Sequence, residues 1–93
     1  MRPLHSAVAA RNPTIVTALL ARGADPSAPQ QAGLTPLHAA AHNGDDEIVR
    51  LLLSYGADPR ALDDHGVSPA DLARERGHNT VAMLIEPRRV SAR

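Results

Sequence analysis

The sequence predicts an all-α protein, a helical solenoid in which short helix–turn–helix units stack side by side. Two observations predict it: a 33-residue pattern recurs without insertion, and the residues that start and end helices recur with it. The chain has 93 residues, of which 43% are hydrophobic and 22% charged, a composition typical of a folded protein with one small core. We therefore expect a single domain over residues 1–93.

The repeat is visible first in the prolines. Pro3, Pro36 and Pro69 are 33 residues apart, and the tetrapeptide Gly-Ala-Asp-Pro at 23–26 recurs at 56–59. The same offset relates sets of apolar residues: Leu4, Leu37 and Ala70; Ala7, Ala40 and Ala73; Ile15, Ile48 and Val81; Leu19, Leu52 and Ile85. The chain therefore divides into a first unit at 1–32, a second unit at 33–65, a third unit at 66–87 and a tail at 88–93.

The first helix of a unit is predicted to begin at a capped proline. Thr35 precedes Pro36, so its hydroxyl can accept from free backbone N–H groups, while proline stands where its missing N–H costs nothing. Ser68 repeats this pattern one period later. Gly44 and Gly77 are expected to end these helices after about two turns, because glycine readily adopts the left-handed conformation.

The second helix of a unit is predicted to follow at once. Residues 45–47, Asp-Asp-Glu, place negative charge where the helix dipole favours it, and Asn12 before Pro13 is a capping pair. Apolar residues at 48–53 cover more than one stripe, as expected of a helix that has neighbours on both sides. Gly56 is expected to end this helix.

Residues 33–40, Gly-Leu-Thr-Pro-Leu-His-Ala-Ala, with Gly44 and with residues 51–58, resemble an ankyrin repeat. The period and the Thr-Pro-Leu-His-x-Ala pattern are those of that family. The resemblance covers essentially the entire chain. It implies an ankyrin-repeat helical solenoid with projecting β-turn loops, and a protein that binds a protein partner without being an enzyme.

The third unit departs from the pattern in a way that predicts a C-terminal cap. Asp71, Arg74 and Glu86 stand where the second unit has histidine, alanine and leucine. A terminal repeat needs a polar outer face, whereas an interior repeat is apolar on both sides. Pro87 is expected to stop the last helix, which leaves residues 88–93 as a tail.

The first unit is less completely capped. Arg2 replaces the capping threonine, and Arg11 replaces the helix-ending glycine. Val8, Ala18 and Leu19 are expected to leave an apolar outer flank. A second copy of the chain, a different partner, or residues of a longer protein could cover it, and the sequence leaves these alternatives open, including a homo-oligomer.

Composition narrows the class of partner and the compartment. Ten basic and ten acidic residues give no net charge, so nucleic acid and membrane surfaces are not expected partners. There is no cysteine to form a disulfide or a thiolate site, and the first residues lack the apolar core of a signal peptide. We expect a cytoplasmic protein without a cofactor.

His38 and His42 are spaced so that both imidazoles could face one side of a helix as metal ligands. A third ligand is not evident, and position 39 lacks the glutamate of a zinc hydrolase. His5 and His38 occupy the same repeat position, which favours a structural role over catalysis. We therefore expect no metal site and no catalytic residue.

The resemblance implies a concave face made of turn tips and the exposed side of the first helices. Leu34 and Val67 are apolar where exposure is expected, and Tyr55 is the single aromatic residue. The predicted partner-binding residues are Gln31, Ala32, Leu34, His42, Asn43, Tyr55, Asp64, His65, Val67, Glu75 and Arg76, next to Ala9 and Ala10.

Overall fold

The computed structural model describes residues 3–86, which form three pairs of helices. The described residues contain no strand, so the predicted all-α class is confirmed. Arg2, Pro87 and the tail at 88–93 lie outside the described residues. The helices are α1 (Pro3–Ala9), α2 (Pro13–Ala21), α3 (Pro36–Asn43), α4 (Asp46–Ser54), α5 (Pro69–Glu75) and α6 (Asn79–Ile85), with a 3₁₀ turn at Gln31–Gly33.

The helices form two rows. The inner row consists of α1, α3 and α5, each packed on the next, and the outer row consists of α2, α4 and α6. Within each unit the two helices also contact each other, and the main contacts between units join units that are neighbours in sequence. The resulting stack measures 41 × 24 × 21 Å.

The helices begin at the predicted caps. Thr35 Oγ1 accepts from the His38 backbone N–H at 3.3 Å, and Ser68 Oγ accepts from the Asp71 N–H at 3.2 Å. In the outer row, Asn12 Oδ1 accepts a corresponding bond at the start of α2, at 3.2 Å. These side chains satisfy donors that the first helical turn leaves without partners.

The inner helices end in left-handed residues. Gly44 has φ 67° and Gly77 has φ 80°. Arg11 stands at the equivalent position and adopts φ 56°, which costs a residue with a Cβ about 1–2 kcal/mol. Its guanidinium donates a 2.7 Å hydrogen bond to the Asn43 carbonyl at the end of α3. The first unit therefore keeps the same turn without a glycine.

The core lies between the rows and contains large aliphatic residues from the outer row, among them Ile48, Val49 and Leu52. The inner row contributes mostly alanine, and Ala40 and Ala73 are fully buried. Small side chains allow α3 and α5 to approach closely, whereas the wider space between rows is filled by leucine, isoleucine and valine.

The expectation that Val8 is exposed on the outer flank is wrong, because Val8 is fully buried. The equivalent residues are Ala41, which is also fully buried, and Arg74, which is exposed at the end of the stack. This position therefore faces the following unit rather than the preceding one. Ala18 is exposed and Leu19 is half-buried. Ile15, which was not predicted to lie on this flank, is exposed on α2.

The turns that precede α3 and α5 are bonded to each other. The backbone N–H of Asp64 donates to the Ala32 carbonyl at 2.9 Å. A Cβ at Gly33 would lie 2.7 Å from Asp64 Oδ1 and 3.0 Å from its backbone nitrogen. Gly66, at the equivalent position, has φ 77° against 72° for Gly33, yet a Cβ there would meet nothing within 4 Å.

These two glycines provide a matched pair of substitutions. Gly66→Ala is expected to lower the free energy of unfolding by about 1 kcal/mol, the cost of a left-handed alanine. Gly33→Ala is expected to lower it by about 2–4 kcal/mol, because the Asp64 backbone must also move. Urea unfolding followed by circular dichroism measures both values. Equal losses would show that the turns are not closely packed.

Candidate functional site

The inner row and the turn before α3 enclose an open groove of about 330 Å³. It follows the face of the inner helices that points away from the outer row. Its lining residues are His5, Ala9, Gln30, Leu34, Thr35, His38, Ala39, His42, Asn43 and Leu72.

The centre of the groove is apolar. Ala9, Ala39 and Leu72 come from α1, α3 and α5, so all three units contribute to it. Ala39 and Leu72 are half-buried, and Ala9 is exposed. The small side chain of Ala39 leaves space in the middle of the row, where a larger residue would fill the groove. The arrangement can accept an apolar side chain from another molecule.

Two histidines tie the inner helices to the turns. His38 Nε2 donates to the Val67 carbonyl at 2.8 Å, and His5 Nε2 lies 3.4 Å from the Leu34 carbonyl. His38 Nδ1 accepts from the Thr35 backbone N–H at 3.1 Å, which assigns the ring proton to Nε2. Both nitrogens of His38 are thus engaged in hydrogen bonds that hold α3 against the turn before α5.

His38 and His42, whose spacing could suit a metal ion, differ in burial. His42, four residues after His38, is exposed, whereas His38 is fully buried. Residues 3–86 contain no group of three histidine, cysteine or acidic side chains that could hold a metal ion.

Two acidic residues, Asp63 and Asp64, lie in the turn before α5 and are not among the residues that line the groove. Asp63 Oδ1 accepts backbone hydrogen bonds from His65 at 2.8 Å and from Val67 at 2.9 Å. These bonds, chiefly the one from Val67, hold the pKa of the Asp63 carboxyl below its usual value. Asp64 is exposed next to it. The first unit has Gln30 in place of Asp63, and its turn instead has a left-handed residue, Ala32, at φ 61°.

The loops that follow the inner helices carry charges of both signs, since Arg11 lies in the first loop and Asp45 in the second. Arg11 is exposed and bonded to the Asn43 carbonyl. The His78 ring Nε2 donates to the His42 carbonyl at 3.2 Å. Both bonds satisfy carbonyls in the last turn of α3, which have no partner within the helix.

The predicted binding residues lie in three places: the groove region, the turn tips with the end of α5, and the outer row. Leu34, His42 and Asn43 line the groove. Leu34 and Val67 were expected to be exposed, but both are half-buried where their carbonyls meet the histidine rings. Exposed positions at the turn tips and at the end of α5 are Gln31, Ala32, Asp64, His65, Glu75 and Arg76.

Tyr55 lies outside the groove. It follows the last residue of α4 in the outer row, and its exposed ring is not part of the groove lining. Gln30 and Leu72 line the groove although the sequence did not predict them as binding residues. Leu72 occupies the repeat position of Ala39, so a comparison of the inner helices position by position would have found it.

The family comparison agrees with this architecture. A family model described as ankyrin repeats, in three copies, matches residues 2–92. The chain belongs to the ankyrin-repeat family. Ankyrin repeats generally mediate contacts between proteins and are generally not enzymes. No curated protein gives a significant match to this ankyrin-repeat chain. Among residues 3–86, no helix combines the length and the apolar character needed to cross a membrane.

The bonds to Asp63 predict a specific response to acid. A carboxyl with a lowered folded-state pKa stabilises the fold above its unfolded pKa, about 3.9, and this contribution is lost as the pH falls through the folded value. Asp63→Asn is expected to lower the Tm at pH 7, and the difference from the native chain is expected to shrink below about pH 4.

Thermal unfolding followed by circular dichroism between about pH 2.5 and 7 measures this difference. Asp64→Asn is the control, because it removes an exposed neighbouring carboxylate. A gap between native and Asp63→Asn that stays constant over the pH range would contradict the assignment.

Proposed function

We propose that this chain is a non-enzymatic ankyrin module that binds one protein partner in the groove of the inner row and at the adjoining turn tips. The observation that carries the proposal is the open apolar groove, to which α1, α3 and α5 all contribute. A surface built from three separate units suits an extended segment of a protein better than a single small group.

The groove is held in shape before a partner arrives. The bond from His38 to the Val67 carbonyl and the bond from Arg11 to the Asn43 carbonyl connect neighbouring units at opposite ends of the groove. A preformed surface loses less conformational entropy on binding than a flexible one. The helices thus supply a rigid floor, and the exposed turn residues supply contacts that differ from one unit to the next.

Residues in and near the groove suit a particular chemistry of the partner segment. An apolar side chain suits the floor at Ala39 and Leu72. An acidic residue suits the exposed surface near Arg11, and a basic residue suits the exposed surface near Asp64. Charges of this kind set orientation and association rate more than affinity. The segment would therefore bind in one direction along the inner row.

The proposed partner is a protein, not nucleic acid or a membrane, and the module uses no cofactor. The chain carries no net charge, so no general attraction to nucleic acid or anionic lipid supports binding to either. The proposed location is the cytoplasm, because the sequence has no cysteine and so no disulfide bond, as is usual in reducing compartments. No cofactor and no catalytic residue enter the proposal.

Two variants test the groove directly. Ala9→Glu combined with His42→Glu places two carboxylates at exposed positions of the lining, and Met83→Glu places one on exposed outer-row surface as the control. A partner is first captured from cell extract with the native chain, then purified and titrated calorimetrically. We expect the groove variant to bind at least about tenfold more weakly, because carboxylates would be desolvated against an apolar surface.

Circular dichroism checks that each variant is folded. The control is expected to bind like the native chain. Unchanged affinity for the groove variant would reject the groove as the binding surface. Tyr55→Ala, tested in the same titration, then shows whether the outer row makes the contact.

A further inference from the structure

One position of the inner row changes in size from unit to unit, and this change shapes the groove. Ser6, Ala39 and Leu72 are equivalent in the repeat. Ala39 and Leu72 both line the groove, and both are half-buried. Leucine is larger than alanine by an isopropyl group, so α3 leaves a space at the position where α5 has a side chain. We use the name depression for the part of the groove that Ala39 lines.

Polar groups of the groove lining are already bonded within the protein. Thr35 and His38 are buried, and both line the groove. The Thr35 hydroxyl lies 2.9 Å from His38 Nδ1, and His38 Nε2 donates to the Val67 carbonyl at 2.8 Å. The lining residues of the described chain include no carboxylate, guanidinium or ammonium group. A charged group placed here would lose its water and gain few new partners, so the depression favours an apolar group.

The volume of the groove suits one large side chain. The groove encloses about 330 Å³. A closed apolar cavity of about 150 Å³ is already enough to hold benzene. Because the groove is open, the backbone that carries the inserted side chain can stay at the surface. A leucine, methionine or phenylalanine side chain fits these dimensions, whereas alanine would leave most of the space empty.

We propose that the partner inserts one large, uncharged apolar side chain into the depression, and that Ala39 determines which size of side chain is accepted. This inference rests on the proposed function, because it assigns the specificity of the same groove. Ala39 acts by being small, since a larger residue would occupy the space that the partner needs. His42 and Asn43 also line the groove, and their side chains can form hydrogen bonds with the partner backbone next to the inserted residue.

A selection of short random peptides displayed on phage, with the purified native chain as the target, tests this inference. We expect the selected peptides to share one position that holds a large apolar residue. The best peptide is then synthesised in two forms, the parent with this residue and a second form with alanine in its place, and both are titrated calorimetrically. The native chain is expected to bind the alanine form at least about tenfold more weakly, because the depression is then left empty.

Ala39→Leu fills the depression with the residue that the third unit has at this position. Leucine is a good helix former, so the variant is expected to fold, which circular dichroism checks. We expect it to bind the parent peptide at least about tenfold more weakly than the native chain does, and to bind the alanine form no more weakly. Ala18→Leu makes the same change at an exposed position of α2 and is the matched control. Ala39→Met is the second variant if Ala39→Leu is poorly folded.

Equal binding of the parent peptide by the native chain and Ala39→Leu would overturn the inference. So would equal weakening by Ala18→Leu, or a selection that yields no shared large apolar residue. The double variant Ala9→Glu with His42→Glu separates this result from the proposed function. If it weakens the parent peptide and Ala39→Leu does not, the groove is the binding surface and only the role of Ala39 is wrong. If the parent peptide binds the double variant as it binds the native chain, the groove is rejected, and this inference with it.

Discussion

The structure depends on one constraint: a single pair of short helices cannot bury its own apolar residues. Ile48 and Val49 are adjacent in α4 and both fully buried, because the second unit has a neighbour on each side. Stacking therefore supplies most of the core, while the caps decide only where each helix begins and ends. The inner row, its groove and both ends of the stack follow from this arrangement.

The same repeat position has a different role at each place in the stack. Arg74 occupies the position of Val8, and the substitution exchanges an apolar contact with the next unit for an ion pair in water. An exposed pair of this kind contributes little stability. The charged pair gives the third unit the polar outer face of a terminal unit. Ile15, by contrast, is an apolar residue at a position that no described unit covers. The asymmetry of the two ends is thus chemical as well as positional.

Much of the fold could be predicted because helix signals are local. Thr35, Asn12 and Gly44 act on backbone groups within a few residues, and the structure confirms each of them. The binding surface was predicted less well. Leu34 is half-buried, and His5, 29 residues earlier, lies against its carbonyl; no local pattern reports such a contact. Val8 was misplaced because the repeat pattern alone does not report that its position faces the following unit.

The sequence by itself determined the repeat, the helix boundaries and the family, because the residues that specify them act over one or two turns and recur every 33 positions. Only the tertiary structure decided which equivalent residues are exposed and where the groove lies. It also showed that Gly33 lies against the backbone of Asp64. These properties depend on contacts between units, and the repeat pattern assigns the same residue type to positions that meet different neighbours.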